Sequence, residues 1–166
     1  NFNINFLDEL EDSKNHIDYI KSRLEVMNEP CLYGLILSDN IEIYRFTWLR
    51  SFQNPISIRI EKNKDKIQLF IKISNGNGCI HPKKLIKSKR RNLSLDEWNY
   101  FIDLLNIAEF NKLPKKRAII MCDGADWILE HKTSEVYKVH ETNIPSEQFK
   151  DACIYLIKLS RININY

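Results

Sequence analysis

The chain has 166 residues and a mass of 19.8 kDa, which suits one domain and excludes both a disulfide-stapled miniprotein and two full-sized domains. Its 43% hydrophobic and 28% charged residues exclude wholesale disorder, and four glycines and five prolines exclude collagen-like or low-complexity sequence. No apolar run reaches the roughly 18 residues of a membrane span. We therefore expect a single domain over residues 1–166, with no transmembrane segment.

The formal net charge of +3 conceals an uneven distribution. A first basic segment holds six positive charges within nine residues, and a second, Lys115 to Arg117, holds three. Because the net charge is +3, the rest of the chain carries −6. The six residues of the first segment are Lys83, Lys84, Lys87, Lys89, Arg90 and Arg91. Three interpretations stay open for it: a solvated connector, a surface for an acidic protein, or a contact for nucleic acid or anionic lipid. Because no aromatic residue is interleaved for base stacking, we expect no nucleic-acid partner.

The first predicted element is a helix from Phe6 to Met27 that ends at Asn28-Glu29-Pro30, since proline cannot continue it. Four apolar residues share one face of this helix, which we expect to be its buried face. They are Ile17, Ile20, Leu24 and Met27.

Four strands are predicted next, from alternating apolar and polar residues separated by short turns. They are Cys31 to Leu37, Ile41 to Phe52, Ile56 to Glu61 and Ile67 to Ile73. Asn75-Gly76-Asn77-Gly78 predicts a tight turn, and Cys79 to Arg91 a basic, partly extended connector. The pattern is typical of an antiparallel meander with one buried face.

Ser94 and Glu97 form a capping box that begins the second helix, with Leu93 and Trp98 placed for a hydrophobic staple. Three further strands and a last helix follow, the helix beginning at Pro145-Ser146 with Cys153 on its apolar stripe. The strands are Ala118 to Cys122, Ala125 to Glu130 and Val136 to Glu141, the first two joined at Asp123-Gly124. The predicted fold class is α+β in the order α–β4–α–β3–α, with the helices packed on one face of a largely antiparallel sheet.

Cationic residues within the predicted strands need explanation, because charges on a half-buried sheet face require partners. Arg45, Arg50 and Arg59 lie among aromatic and aliphatic residues that include Trp48. Glu42 and Glu61 could neutralise them as structural ion pairs. Alternatively, arginine and aromatic residues together form the centre of a protein-binding surface. These four residues and the first basic segment are therefore the candidate partner-binding residues.

No catalytic, cofactor-binding or metal-binding residue is predicted, because the chain lacks the spacing that each chemistry needs. Among four histidines and four cysteines the one close pair is Cys79 with His81, whereas a structural zinc site uses two such pairs. No nucleophile motif or phosphate-binding loop is present. Two readings of Cys31, Cys79, Cys122 and Cys153 stay open: free thiols in a reducing compartment or two disulfides in an oxidising one.

Several motifs resemble those of an uncharacterised family of small single-domain bacterial proteins. The resemblance covers roughly residues 41 to 160 and departs at Asn111, where similar sequences have a large aromatic residue. Its motifs are Tyr44 to Phe52, Pro55 with Ile58 to Glu61, the Gly76/Gly78 turn, Glu97-Trp98, Phe110 with Leu113-Pro114, and Asp123-Gly124 with Trp127 to Glu130. It implies a stand-alone domain, often of the accessory or lipoprotein kind, with no assigned enzyme activity and no catalytic residues to carry over.

Three classes of function remain. The first is a non-enzymatic protein-binding domain, an immunity-type protein that neutralises a partner toxin or effector by direct binding, since inhibition needs only a complementary surface. The second is an envelope-associated accessory or lipoprotein domain. The chain begins at Asn1 rather than Met, so a signal peptide, a lipid anchor or a larger polypeptide is expected upstream, and both cytoplasmic and periplasmic locations stay open. The third is an enzyme whose site is assembled only in the fold.

Overall fold

The computed structural model describes residues 3–77, 80–115 and 124–163, of which residues 3–13 are described by their backbone. Within these ranges the chain forms three helices and six strands, which confirms the α+β class. The helices are α1 (Asn3–Val26), α2 (Leu95–Ile107) and α3 (Glu147–Ser160). The strands are β1 (Ile41–Arg50), β2 (Ile56–Asn63), β3 (Lys66–Ser74), β4 (Leu85–Asn92), β5 (Ala125–Lys132) and β6 (Tyr137–Thr142).

All six strands belong to one antiparallel sheet in the order β4-β3-β2-β1-β5-β6. β1 to β4 form a meander, and after α2 the chain returns to place β5 on the free side of β1. Phe46 in β1 therefore lies between Ile58 of β2 and Leu129 of β5. β1, which contains Tyr44 to Arg50 of the Tyr44 to Phe52 motif, is thus a central strand of the sheet.

One face of the sheet, here called the apolar face, carries the main core. It presents the aromatic residues of β1 with the isoleucines of β2 and the leucines of β3 and β5, as their alternation predicts. Helices α2 and α3 pack on this face and contribute Phe101 and Phe149, both almost fully buried. The burial of these large side chains is the main apolar contribution to stability.

Serine side chains cap the N-termini of α2 and α3. Ser94 accepts a hydrogen bond from the Glu97 N–H, and the Glu97 carboxylate accepts one from the Ser94 N–H, so the predicted capping box is confirmed. Ser146 caps α3 through the Phe149 N–H. These caps fix where α2 and α3 begin over the apolar face.

The opposite face of the sheet, here called the polar face, is covered by the C-terminal half of α1. His16 contacts Glu141 on β6, and the carbonyl of Asn28, just after the helix, accepts a hydrogen bond from Lys72 on β3. Residues 16 to 28 advance by about 18 Å in a helix, and four strand spacings amount to about 19 Å. Helix α1 therefore crosses the sheet roughly at right angles to its strands. The expectation that the helices share one face is wrong for α1.

The buried side of α1 also differs from the expected apolar stripe. Met27 is fully buried, but Ile17 is 60% exposed, and the polar residues His16 and Arg23 are buried instead. The reason is the surface beneath, since a charged sheet face offers partners to polar side chains and few to isoleucine. Within the described residues no helix has the length and apolar character needed to cross a membrane.

The predicted strand order requires two corrections. Cys31 to Leu37 is not a strand: it holds a single turn of 3₁₀ helix at Leu32–Gly34, of which Leu32 is buried. The segment expected to be a connector contains β4 in its place. Three expectations concern residues outside the described ranges: the strand Ala118 to Cys122 with Asp123, the turn residues Gly78 and Cys79, and Lys116 with Arg117.

Candidate functional site

The polar face contains a cluster of charges, here called the ionic cluster and defined as Glu29, Arg45, Arg59, Lys72 and Glu130. Arg45 of β1 and Arg59 of β2 are direct cross-strand neighbours. Two like charges in that relation repel each other, and burial in a medium of low dielectric constant strengthens the repulsion. The pair therefore requires carboxylates close by.

Glu29 supplies the first carboxylate from the segment that follows α1. Its Oε2 atom lies 2.8 Å from Arg59 Nε and 3.6 Å from Arg45 Nη1, and its Oε1 atom lies 3.2 Å from Lys72 Nζ. The Glu29 side chain is 1% exposed. Asn28 adopts a positive φ of 52° at the end of the helix, which turns the chain so that Glu29 enters the cluster.

Glu130 supplies the second carboxylate from β5. It binds Arg45 in a bidentate manner, with Nε–Oε2 and Nη2–Oε1 distances of 2.7 and 2.8 Å, and Tyr137 donates a further hydrogen bond at 3.0 Å. Arg45 also donates to the Pro30 carbonyl at 2.5 Å. With Glu61 paired to Arg59, three cations meet three carboxylates, so the charges of the ionic cluster are balanced within the chain.

This arrangement bears on the predicted partner-binding residues in the sheet. Arg45, Arg59 and Trp48 are 1%, 7% and 6% exposed, so their side chains do not reach a partner in this fold. Arg50 is half-buried, with its guanidinium 4.4 Å from the centre of the Trp48 ring, and burial lowers its pKa. The structure thus favours a structural role for Arg45, Arg59 and Trp48, whereas the assignment of Arg50 to a partner-binding surface stays a prediction.

A second polar group lies where α1 meets β6 and β5. His16 and Glu141 share a short hydrogen bond, and both side chains are buried. Burial raises the pKa of Asp126 on β5 to about 6, and the neighbouring Glu141 carboxylate adds to the shift, while His16 and Arg23 oppose it. These contacts fasten α1 to the far edge of the sheet.

Replacing Asp126 by asparagine is expected to raise stability in a pH-dependent way. The pKa in the folded protein lies above the ordinary 3.8, so the contribution of Asp126 is fully present below about pH 4 and is lost as the pH rises through about 6. Asp126→Asn should therefore gain on the order of 1–2 kcal/mol at pH 8, discounted for partial exposure, and much less at pH 4.5. Urea unfolding at both pH values measures the difference.

The control for this prediction is Asp103→Asn, at an exposed position on α2. It should show no pH-dependent gain. A gain of the same size at both pH values for Asp126→Asn would contradict the assignment of a raised pKa.

The remaining candidates lie along one edge of the sheet, here called the basic strip and defined as Lys83, Lys84, Lys87, Lys89 and Arg90. The strip comprises β4 and the two residues before it, and β4 is an edge strand. All of its side chains are exposed except that of Lys87, which is partly buried. Among residues 14–77, 80–115 and 124–163, whose side chains the structure describes, no carboxylate lies within ion-pair distance of these five cations. The strip therefore projects an unneutralised positive potential.

Local turn chemistry positions the start of the strip. The Asn75 side-chain oxygen accepts hydrogen bonds from the N–H groups of Lys83 and Lys84, both at 2.8 Å. Gly76 has φ of 86°, and a Cβ atom there would lie 2.9 Å from the Ile80 carbonyl oxygen. Only glycine fits this closure, so the Asn75-Gly76 turn fixes where the strip begins.

Arg91 belongs to the predicted basic segment but not to the strip. Its guanidinium donates to the Leu159 carbonyl at 2.8 Å and to Glu97 at 2.5 Å, which joins β4 to the helices on the apolar face. One cation of the six is thus structural, and the other five stay available to a partner.

The next feature is the arrangement of the histidine, cysteine, aspartate and glutamate side chains that could bind a metal ion. Among residues 14–77, 80–115 and 124–163, no group of three or more histidine, cysteine, aspartate or glutamate side chains is arranged to hold a metal ion. Cys31 is a free, exposed thiol, and Cys153 is a free, buried one whose pKa is raised by that burial. Cys79 and Cys122 lie outside the described residues, so the disulfide question stays open for them.

Comparison with known proteins adds no assignment to this geometry. No protein-family model matches the chain, and no curated protein matches it significantly. The resemblance to small bacterial domains therefore stays a prediction, and the basic strip is the feature on which a function can be argued.

Proposed function

We propose that the chain is a non-enzymatic protein-binding domain of the immunity type, which neutralises a partner toxin or effector by binding it through the basic strip. The observation that carries the proposal is the contrast between two groups of cations. Arg45, Arg59 and Lys72 are neutralised by carboxylates of the same chain, whereas the five cations of the strip have no such partner among the side chains that the structure describes.

Electrostatic complementarity explains why such a surface suits inhibition. A row of unpaired cations accelerates the encounter with an acidic surface and selects against other partners. The partner implied by this chemistry is a protein with a carboxylate-rich surface. Because Lys87, Lys89 and Arg90 lie on an ordered strand rather than on a mobile tail, little additional backbone ordering opposes binding at these residues.

Charge reversal of the strip is expected to abolish neutralisation. Lys83, Lys84, Lys87, Lys89 and Arg90 are exchanged together for glutamate, and the partner is captured from the native host and purified. The wild-type chain should form a 1:1 complex that weakens as salt is raised, and the reversed variant should bind at least about 100-fold more weakly. Calorimetry gives the affinity and the stoichiometry, and growth of cells that express the partner reports neutralisation.

The control reverses four exposed lysines elsewhere, at Lys14, Lys64, Lys66 and Lys158. It should leave affinity within a few-fold of wild type, because these lysines do not belong to the basic strip. Absence of a stoichiometric partner, or equal binding by the two reversed variants, would contradict the proposed function.

A further inference from the structure

The basic strip is also an unpaired strand edge. β4 bonds to β3 on one side, and no described strand lies on its other side. An eight-residue edge of about 26 Å carries backbone donors and acceptors that an extended peptide can use. Ser88, Lys89, Arg90 and Asn92 are all exposed, so nothing in the described structure covers this edge.

The pairing with β3 shows which backbone groups point outward. The Leu93 N–H donates to the Ile67 carbonyl at 2.9 Å, and Asn92 lies opposite Gln68 as the next pair. In an antiparallel ladder, pairs that exchange hydrogen bonds alternate with pairs whose N–H and C=O groups point away from each other. The regular register from Asn92 to Lys87 therefore directs the backbone groups of Ser88, Arg90 and Asn92 away from β3.

We infer that the partner contributes an acidic, extended segment that adds to β4 as a seventh strand. This inference rests on the proposed function and specifies how the partner binds. Main-chain hydrogen bonds to Ser88, Arg90 and Asn92 provide the pairing, as in other cases of strand addition. Carboxylates of the segment then lie beside the cations of the strip.

The distribution of charge on β4 matches such a segment on both faces of the sheet. Lys87 and Lys89 lie opposite Ile73 and Ile71 and so share the apolar-face side, whereas Arg90 lies opposite Phe70 on the polar-face side. An added strand alternates its side chains in the same way. Acidic residues at successive positions of the segment therefore meet a cation on either side.

The same charges disfavour the main competing occupant, a second copy of this chain. Pairing of β4 with β4 places lysine and arginine rows opposite each other, and directly opposed like charges destabilise a strand pair. Cationic residues thus protect the edge from self-association while leaving it open to an acidic strand.

The test separates backbone pairing from charge. Ser88→Pro removes one outward N–H without changing charge, and it spares the β3–β4 bonds because that N–H points away from β3. Ser88→Ala is the matched control, since it removes the hydroxyl and keeps the N–H. The probe is a labelled peptide of about eight residues in which pairs of glutamates alternate with pairs of valines, so that acidic side chains lie on both sides of the added strand. It is compared with a peptide in which proline replaces each valine.

Strand addition predicts that the valine peptide binds wild type and Ser88→Ala equally, and binds Ser88→Pro at least about tenfold more weakly in fluorescence anisotropy. The proline peptide should bind weakly to all three. In the wild-type chain, the peptide should slow exchange of the amide protons of Ser88, Arg90 and Asn92. That measurement does not depend on the proline variant, whose folding is checked by circular dichroism.

Equal binding of the peptide to Ser88→Pro and wild type, with loss in the charge-reversed variant, would overturn strand addition and leave the proposed function standing. Absence of peptide binding, concentration-dependent dimerisation through β4, or tighter binding of duplex DNA than of the peptide would each overturn the inference. Failure of the proposed function is recognised separately, by the absence of a 1:1 protein partner from the native host.

Discussion

Replacing Glu29 by glutamine is expected to destabilise the protein by about 3–5 kcal/mol, because removal of one charge from a buried ion-pair cluster leaves the others uncompensated. Glu29 is the carboxylate that Arg45, Arg59 and Lys72 share. Glutamine preserves the shape and one acceptor oxygen, so the loss reports charge rather than volume. Urea unfolding monitored by circular dichroism measures the free energy.

Glu25→Gln provides the matched control, four residues earlier at the end of α1. The Glu25 side chain is 63% exposed and pairs with Lys21 at 3.7 Å, an arrangement worth only about 0.3–0.5 kcal/mol. A loss for Glu29→Gln no greater than that of Glu25→Gln would show that the cluster does not hold α1 and its following segment to the sheet.

Replacing Arg45 by methionine is expected to be similarly costly, at about 3–5 kcal/mol, because it leaves Glu130 buried without its bidentate partner. The double variant Arg45→Met, Glu130→Leu should recover most of that loss, since an apolar pair of similar volume replaces the ion pair. Glu29 keeps Arg59 and Lys72 in this background. Unfolding of the two single variants and the double variant completes a thermodynamic cycle.

Additive losses, with the double variant less stable than either single one, would contradict this account of the pair. Such a result would mean that Arg45 acts mainly through the Pro30 carbonyl and Glu29, and that Glu130 is satisfied by Tyr137 alone.

Sequence patterns predicted the apolar half of the fold well. In β1, β2 and β3 alternate residues belong to the core beneath α2 and α3, as the period-two pattern predicts, although in β1 and β2 the residues between them are buried as well. The capping box at Ser94 and Glu97 is local chemistry that needs no knowledge of distant residues. The strand alternation and the capping box were predictable because each depends on residues that are close together in the sequence.

The predictions for β4 and for the segment from Cys31 to Leu37 were wrong because strand pairing depends on distant residues. β4 contains four cations and little that is buried, because an edge strand is defined by pairing with β3 rather than by apolar residues. The segment from Cys31 to Leu37 is apolar, yet Ile36 is 99% exposed and finds no strand to pair with. Whether each segment forms a strand depends on pairing with a distant segment, and this pairing cannot be read from local composition.

The ionic cluster was only half predictable. Charges within strands indicated that carboxylates must lie nearby, and Glu61 does pair with Arg59 as expected. Glu42 instead bonds His131 and Tyr44, while the partners of Arg45 are Glu29 and Glu130, the latter 85 residues away in sequence. Glu29 could have been considered as a partner from the sequence, because it lies next to Pro30 where α1 ends. The chain changes direction there, which can bring a carboxylate onto the charged face of the sheet.

The crossing of α1 over the sheet has a consequence for the order in which the protein is assembled. The contact that fastens the helix to β6 joins His16 to Glu141, residues separated by 125 positions. During synthesis α1 is made before β1 to β6, and the surface that it covers is complete only when β6 has been made. Helix α1, although it is made before the sheet, is therefore among the last elements to reach its final place, and until then the charges of the polar face stay in water.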